Sequence, residues 1–397
     1  MKDKITKEYV KRVKKIASSK LNSGNTIDAI NSRAVSLVRY GAGIIDWTKE
    51  ELKKIDRKTR KILTMNRIFH PQSDVDRLYI PRKEGGRGLL GVEDCVQIEV
   101  ESLAKYVSAS EELHLQAVSK EHILARQTCD QDMKKTRKEE RHKRWREKAL
   151  HGKLISEIDD IKDESSWDWI RKGFLKKETE GMIFAAQEQA LRTNWIKKHI
   201  DKQDISDKCR MCGEREESVS HLIAECKKLA QRDYKNRHDN IAKIIHLKLC
   251  ERFDLAQGVK WYNHQPESVI ENESVRILWD FNIQTDHYIE HRRPDILVFE
   301  KGSRRCFIID IASPGDKRVV EKEQEKIEHY SDLKRELKKI WKCSHIEIIP
   351  IVVGALGTVS KNLEGWMKKI NLKSSTALLQ KATLLGTARI LRKTLET

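Results

Sequence analysis

The chain has 397 residues, 35% of them charged, and a net charge of +18. That length suits two or three domains with a real core, and that charge points to a polyanionic partner, nucleic acid first, with a plain basic protein as the alternative. No run of about 18 apolar residues is present and the N-terminus has no apolar signal core, so neither a membrane span nor secretion is expected.

Residues 1–65 follow a helical period. Ala29, Ile30, Ala34, Leu37 and Val38 form one stripe, ended by Gly41 and Gly43. A second helix begins at Thr48, with Glu51 completing a capping box and Leu52, Ile55, Thr59, Ile62 and Leu63 as its apolar face. Its opposite face is basic and reads equally as solvated or as touching phosphate. Leu78, Tyr79 and Ile80 look like a short strand. Gly85-Gly86-Arg87-Gly88 then makes a basic loop that is either a plain turn or a close approach to phosphate, with Arg82 and Arg87 as contacts.

Residues 95–153 read as a long helix. Its last part, Lys134 to Lys153, carries ten Lys or Arg against three Glu and includes Arg141, Lys143 and Arg144. A block of one sign suits nucleic-acid contact or nuclear import better than a merely exposed helix. Residues 154–166 turn acidic and polar. Asp159-Asp160 lacks apolar flanks there and receives no chemistry. Trp167 to Ile200 is helical again, with Trp167, Ile170, Phe174, Leu175, Ile183, Ala186, Ala190 and Leu191 as buried faces.

Eight cysteines in so charged a chain do not suggest a disulfide scaffold. Cys209, Cys212, His221 and Cys226 have the spacing C-x2-C-x8-H-x4-C. Four N/S ligands at that spacing fit a closed, structural, tetrahedral Zn²⁺ site. Gly213 relaxes the knuckle turn, and Met211, Val219 and Leu222 are its small core. The following Tyr234 to His238 is basic and aromatic, and could stack on a base or touch phosphate through Arg237 and His238.

Further on, Ile277 to Ile283 suggests a strand. Two apolar runs, Ile296 to Phe299 and Cys306 to Ile309, flank a Lys301-Gly302-Ser303 turn and read as a hairpin. Asp295 opens the first and Asp310 closes the second, so antiparallel pairing brings both carboxylates to one sheet edge. That is a site for a hard cation such as Mg²⁺, or else two ordinary strand-end aspartates. Lys317 to Ile340 reads as a helix with Val319, Val320, Ile327, Tyr330, Leu333 and Leu337 inward. Lys326 lies on that face, where it either snorkels or aims its ammonium at the acids. A final strand, His345 to Val353, and two amphipathic helices complete an α/β layer.

Pro294-Asp295, fourteen residues, then Asp310 resembles the metal-binding motif of PD-(D/E)XK nucleases. Its form is similar to the restriction-like endonuclease domain of site-specific non-LTR retrotransposon proteins. Ala312 stands where the usual lysine would be, and the resemblance moves that role to Lys326, with Tyr330 as a recurrent tyrosine on the same helix. The Cys/His cluster resembles the knuckle such proteins carry before the nuclease, and the spacing of Tyr234, Arg237 and His238 after it fits. Arg77 to Leu89 resembles the region beside the polymerase thumb, and Thr179 to Asn194 the linker before the knuckle. No aromatic-x-Asp-Asp polymerase signature is present, so the chain resembles the C-terminal portion of such a polyprotein or a truncated copy of one, with no polymerase activity of its own expected.

The resemblance implies an α+β multi-domain protein. A thumb-like helical region (1–110) and a basic helical region (111–205) would precede a CCHC knuckle (206–240) and a nuclease core with a mixed sheet (255–397). It implies a nuclear Mg²⁺-dependent endonuclease that nicks target DNA to prime reverse transcription of element RNA, with the polymerase portion of the element as a possible partner. Asp295, Asp310, Lys326 and Tyr330 would carry the chemistry, and Arg292 and Arg293 would contact DNA. The competing expectation is a nucleic-acid-binding remnant that does not cut.

Overall fold

The computed structural model describes residues 1–118, 133–158, 163–256, 259–372 and 376–395. It is an α+β protein that divides into two compact units, 1–153 with 174–190, and 154–173 with 191–397. No helix among the described residues is long and apolar enough to cross a membrane.

The first unit is helical. Thr48 and Glu51 form the expected capping box, so the Lys49–Met65 helix starts where its sequence dictates. Leu52, Ile55, Thr59, Ile62 and Leu63 are all buried, and the Thr59 hydroxyl meets the Tyr9 hydroxyl at 2.8 Å inside the core. The expected strand at Leu78–Ile80 is instead the end of a short helix, Val75–Tyr79. Asp74 caps it by accepting from the Arg77 N–H at 2.8 Å, and that local bond outweighs the β preference of Leu-Tyr-Ile.

The Gly-rich loop packs inward. A Cβ on Gly86 would lie 2.1 Å from the Ile80 carbonyl oxygen, so backbone approaches backbone there. Arg87 is buried against Glu180 at 3.7 Å and stacks on Phe184, while Arg82 donates to Glu180 at 2.7 Å. Neither guanidinium is placed to take a phosphate, which corrects the expectation for Arg82 and Arg87. The physical reason is Glu180, a fully buried carboxylate that needs both charges.

The long helix expected over 95–153 is interrupted. Helices Val92–Ala109 and Leu113–Val118 precede a segment outside the described residues, and Met133–Glu147 follows. Much of the basic block is paired: Arg137 and Arg141 with Asp94, Lys138 and His142 with Glu84, and Arg144 with Asp76. Lys143 is exposed. Asp159-Asp160 lies outside the described residues.

The second unit is built on one five-stranded sheet. Its strands are β1 (Val269–Glu271), β2 (Val275–Trp279), β3 (Ile296–Glu300), β4 (Arg305–Ala312) and β5 (His345–Val352). They lie in sequence order, antiparallel except for the parallel pair β4–β5. The β3–β4 hairpin forms as expected, but Arg304, not Gly302, adopts the left-handed conformation in its turn. Both faces of β3, β4 and β5 are covered, which is why they read as continuous apolar runs. Ile296, Val298, Ile309 and Ile349 pack in one core with Ile241 and Ile245 of the Lys235–Arg252 helix. Leu297, Ile308 and Ile348 pack on the other face with Tyr330, Leu333 and Leu337.

The expected 317–340 helix is two helices, Val319–His329 and Ser331–Ile340, broken at Tyr330. Val320, expected inward, is exposed, as is Phe174. The Trp167–Ile200 stretch is likewise three short helices, Asp168–Lys172, Lys177–Gln187 and Asn194–His199.

Candidate functional site

The β3–β4 register pairs Ile296 with Ile309, so one step further Asp295 stands across from Asp310. Asp310 continues the face of β4 that carries the helices on either side of Tyr330, while Asp295 precedes β3 and also meets the helix on the other face. Lys326 comes from the last turn of the first helix, and its ammonium lies 2.5 Å from Asp310 Oδ2. Tyr330, at the break, donates its hydroxyl to Asp310 Oδ1 at 2.8 Å. The break therefore has a local consequence: it sets the tyrosine and the lysine of adjacent turns on one carboxylate. Lys326 does not snorkel away.

Asp295 is held differently. Its Oδ2 accepts from the Ile311 N–H at 2.6 Å and faces His238 Nε2 at 3.1 Å. The same ring nitrogen lies 3.2 Å from the Ile311 carbonyl oxygen, and Nδ1 lies 3.0 Å from Asp239. His238 was expected to face nucleic acid. It sits instead in the wall of the carboxylate site, because the Lys235–Arg252 helix packs across the sheet and delivers its first turn to the end of β3.

The two acids differ electrostatically. Burial would raise Asp295, but the His238 hydrogen bond and charge, the Ile311 N–H and Lys326 outweigh it and hold the carboxyl below its usual range. Asp310 goes the other way. Burial and the neighbouring Asp295 charge push it up to about 6, against Lys326 and Tyr330. Tyr330 itself is pushed far upward by burial and by Asp310, so it remains a hydroxyl donor. Two carboxylates confined together, one of them resisting ionisation, form a set of hard oxygen donors that a divalent cation would relieve. The residues fit Mg²⁺ in that sense, with Lys326 as the group that must yield at Asp310 Oδ2.

Arg292 lies over the Tyr288 ring at 5.8 Å, and Arg293 pairs with Asp280 at 2.8 Å while remaining 61% exposed. Both precede Asp295 in the chain, and Arg293 is exposed. Arg237 differs. It is buried, donating to the Thr387 hydroxyl and the Ser313 carbonyl, each at 3.1 Å. The Tyr234 hydroxyl is also occupied: it donates toward the carbonyls of His221 and Leu222 and accepts from the Cys226 N–H at 3.0 Å. Tyr234 and Arg237 are thus the bracket that fixes the knuckle to the sheet unit, not a base-stacking surface.

In the knuckle, the four donor atoms of Cys209, Cys212, His221 and Cys226 lie within 4.8 Å of one another. Cys209 Sγ and Cys226 Sγ are 4.0 Å apart, and Cys212 Sγ is 3.4 Å from His221 Nε2. Gly213 has φ +69°, the left-handed turn its position suggested. His221 begins a π-helical turn, His221–Glu225, and Cys226 ends it. Leu222 and Met211 pack around the sulfurs together with Leu229 and Ile390. Val219 is buried but lies outside that cluster. Backbone N–H groups of Arg215 and Glu214 lower the Cys212 thiol, whereas burial raises that of Cys209 to about 11. The set suits a closed tetrahedral ion.

Sequence reading missed the tie from His238 to Asp295, although a histidine before an aspartate on a basic helix is visible in the sequence. It also missed a second buried Cys/His group, His246, Cys250 and His264. The signal there was a His and a Cys one helical turn apart. Against known proteins, the sequence matches no family model and no curated protein.

Proposed function

We propose that the chain is a metal-dependent DNA endonuclease, the nicking portion of a non-LTR retrotransposon protein, with the knuckle as a structural zinc site. The observation that carries this reading is the meeting of Asp295, Asp310, Lys326 and Tyr330 on one sheet edge. Mg²⁺ held by the two aspartates would supply Lewis-acid charge at the scissile phosphate and acidify an attacking water. Lys326 adds a mobile positive charge beside the developing phosphorane charge. Tyr330 fixes the Asp310 rotamer, and His238 fixes that of Asp295. Arg292 and Arg293 bring a phosphate backbone to the acids. On this reading the product 3′ end primes copying of element RNA in the nucleus, with the polymerase supplied by another portion of the element.

The test is nicking of supercoiled plasmid with Mg²⁺ by wild type, Asp295→Ala and Asp310→Ala. Loss of at least about 100-fold in both variants, with unchanged zinc content, is expected for ligands of an essential cation. Equal nicking by all three proteins would remove the acids from the reaction. Salt-sensitive DNA binding without nicking by wild type would instead favour a binding protein that does not cut.

A further inference from the structure

The Lys235–Arg252 helix carries a second group of metal-type donors, far along from His238. His246 and Cys250 stand one turn apart on it, and His264 follows the short helical turn Trp261–Asn263. Cys250 is fully buried, His246 is 1% exposed and His264 is 8% exposed. His246 Nδ1 lies 2.8 Å from His264 Nε2 and 3.5 Å from Cys250 Sγ, and all three donor atoms fall within 4.8 Å of each other. One ring nitrogen thus faces both other donors. A single hydrogen bond can satisfy only one of them, and the other ring nitrogen of His246 is buried with no partner among the described residues. The Trp279 ring meets the His246 ring edge-on at 5.4 Å and fixes its plane.

From this convergence we propose a second structural metal site, formed by His246 Nδ1, Cys250 Sγ and His264 Nε2, that takes Zn²⁺ or a similar borderline cation. Two imidazoles and a thiolate are the wrong donors for Mg²⁺ and the right ones for zinc. Zinc bond lengths of about 2.0–2.3 Å hold N and S donors about 3.3–3.7 Å apart, so the His246–Cys250 separation already fits and the His246–His264 pair has to open by about half an ångström. The Cys250 thiol gives up its proton to solvent buffer as the metal–sulfur bond forms. A water would complete the fourth position. The consequence is mechanical. The ion would pin the C-terminal half of the helix to the segment that leads into β1, and the N-terminal turn of that helix holds Asp295 through His238.

The experiment measures zinc on the purified full-length chain after zinc loading and gel filtration. Two equivalents are expected for wild type, and one for His264→Ala and for Cys250→Ser. X-ray absorption on the zinc-loaded wild type reads the mean donor set without any variant. Three thiolates in the knuckle and one in the second group average two sulfurs per zinc, whereas the knuckle alone gives three. One equivalent with three sulfurs in wild type would overturn the proposal and leave a plain His–His hydrogen bond. Two equivalents that persist in a folded His264→Ala would overturn it as well. Neither result depends on whether the chain cuts DNA.

Discussion

His238 Nε2 lies 3.1 Å from Asp295 Oδ2, and it comes from a helix that begins just after the knuckle. Burial disfavours the His238 cation, but hydrogen bonds and charge from Asp239 and Asp295 raise its pKa to about 10, so at neutral pH the pair is ionic. On the proposed reading, His238 is thus a positioning residue for Asp295. His238→Ala removes the counter-charge and leaves burial to push Asp295 upward. Partners of this kind typically cost 10–100-fold when lost, so a drop of about that size in nicking is expected. The acid limb of the pH profile should also move to higher pH, and His238→Gln should restore part of the rate. A uniform drop at every pH, with no rescue, would show a merely structural role.

Asp310 sets a second pH dependence. Its pKa is raised to about 6, so it binds a proton below that pH and cannot then serve a cation as a carboxylate. Mg²⁺ affinity should fall as pH drops from 7 to 5, measured as the Mg²⁺ concentration for half-maximal nicking. Saturating Mg²⁺ should shift the midpoint below 6, because a bound cation stabilises the ionised form. An Mg²⁺ requirement that is flat across this range would contradict the assignment.

Tyr330→Phe removes one of the two groups that hold Asp310 down. Asp310 should then titrate at higher pH, and the onset of nicking should move with it. The rate at pH 8, where the acid is ionised in either protein, should fall by roughly 10-fold or less, since only orientation is lost. Kinetics at pH 6 and pH 8 separate the two effects.

In the first unit, Glu180 accepts from Arg82 and from the Ser23 hydroxyl, with Arg87 at 3.7 Å. Glu180→Ala would remove the carboxylate that Arg82 and Arg87 both face, Arg87 fully buried. Breaking such a pair costs about 3–5 kcal/mol, to be read from urea unfolding of the full chain. Arg87→Ala should be destabilising too, yet leave the salt dependence of DNA binding by the folded protein unchanged. A shallower salt slope would return Arg87 to the phosphate-binding surface.

Several features were legible because they are local. The Thr48/Glu51 cap, the knuckle spacing and the apolar runs of β3 and β4 each depend on residues a few positions apart, where propensity and periodicity act directly. The basic residues were less legible. Lys and Arg look alike in sequence whether they face water or a buried carboxylate. Glu180 is nearly a hundred positions from Arg82 and Arg87, Asp94 is more than forty from Arg137, and no short-range pattern records either pairing.

The break at Tyr330 was also hidden, because the residues on both sides favour helix and only packing against the sheet decides where one helix stops. By itself, the sequence determined that the protein is basic, that three cysteines and a histidine recur at a knuckle spacing, and that two aspartates flank a hairpin. Only the tertiary structure decided which groups oppose those acids. It turned Lys326 and Tyr330 onto Asp310 from above the sheet and His238 onto Asp295 from the helix beneath. The reason is that charge pairing acts through space, and a chain reveals its spatial neighbours only once its two apolar faces have been buried.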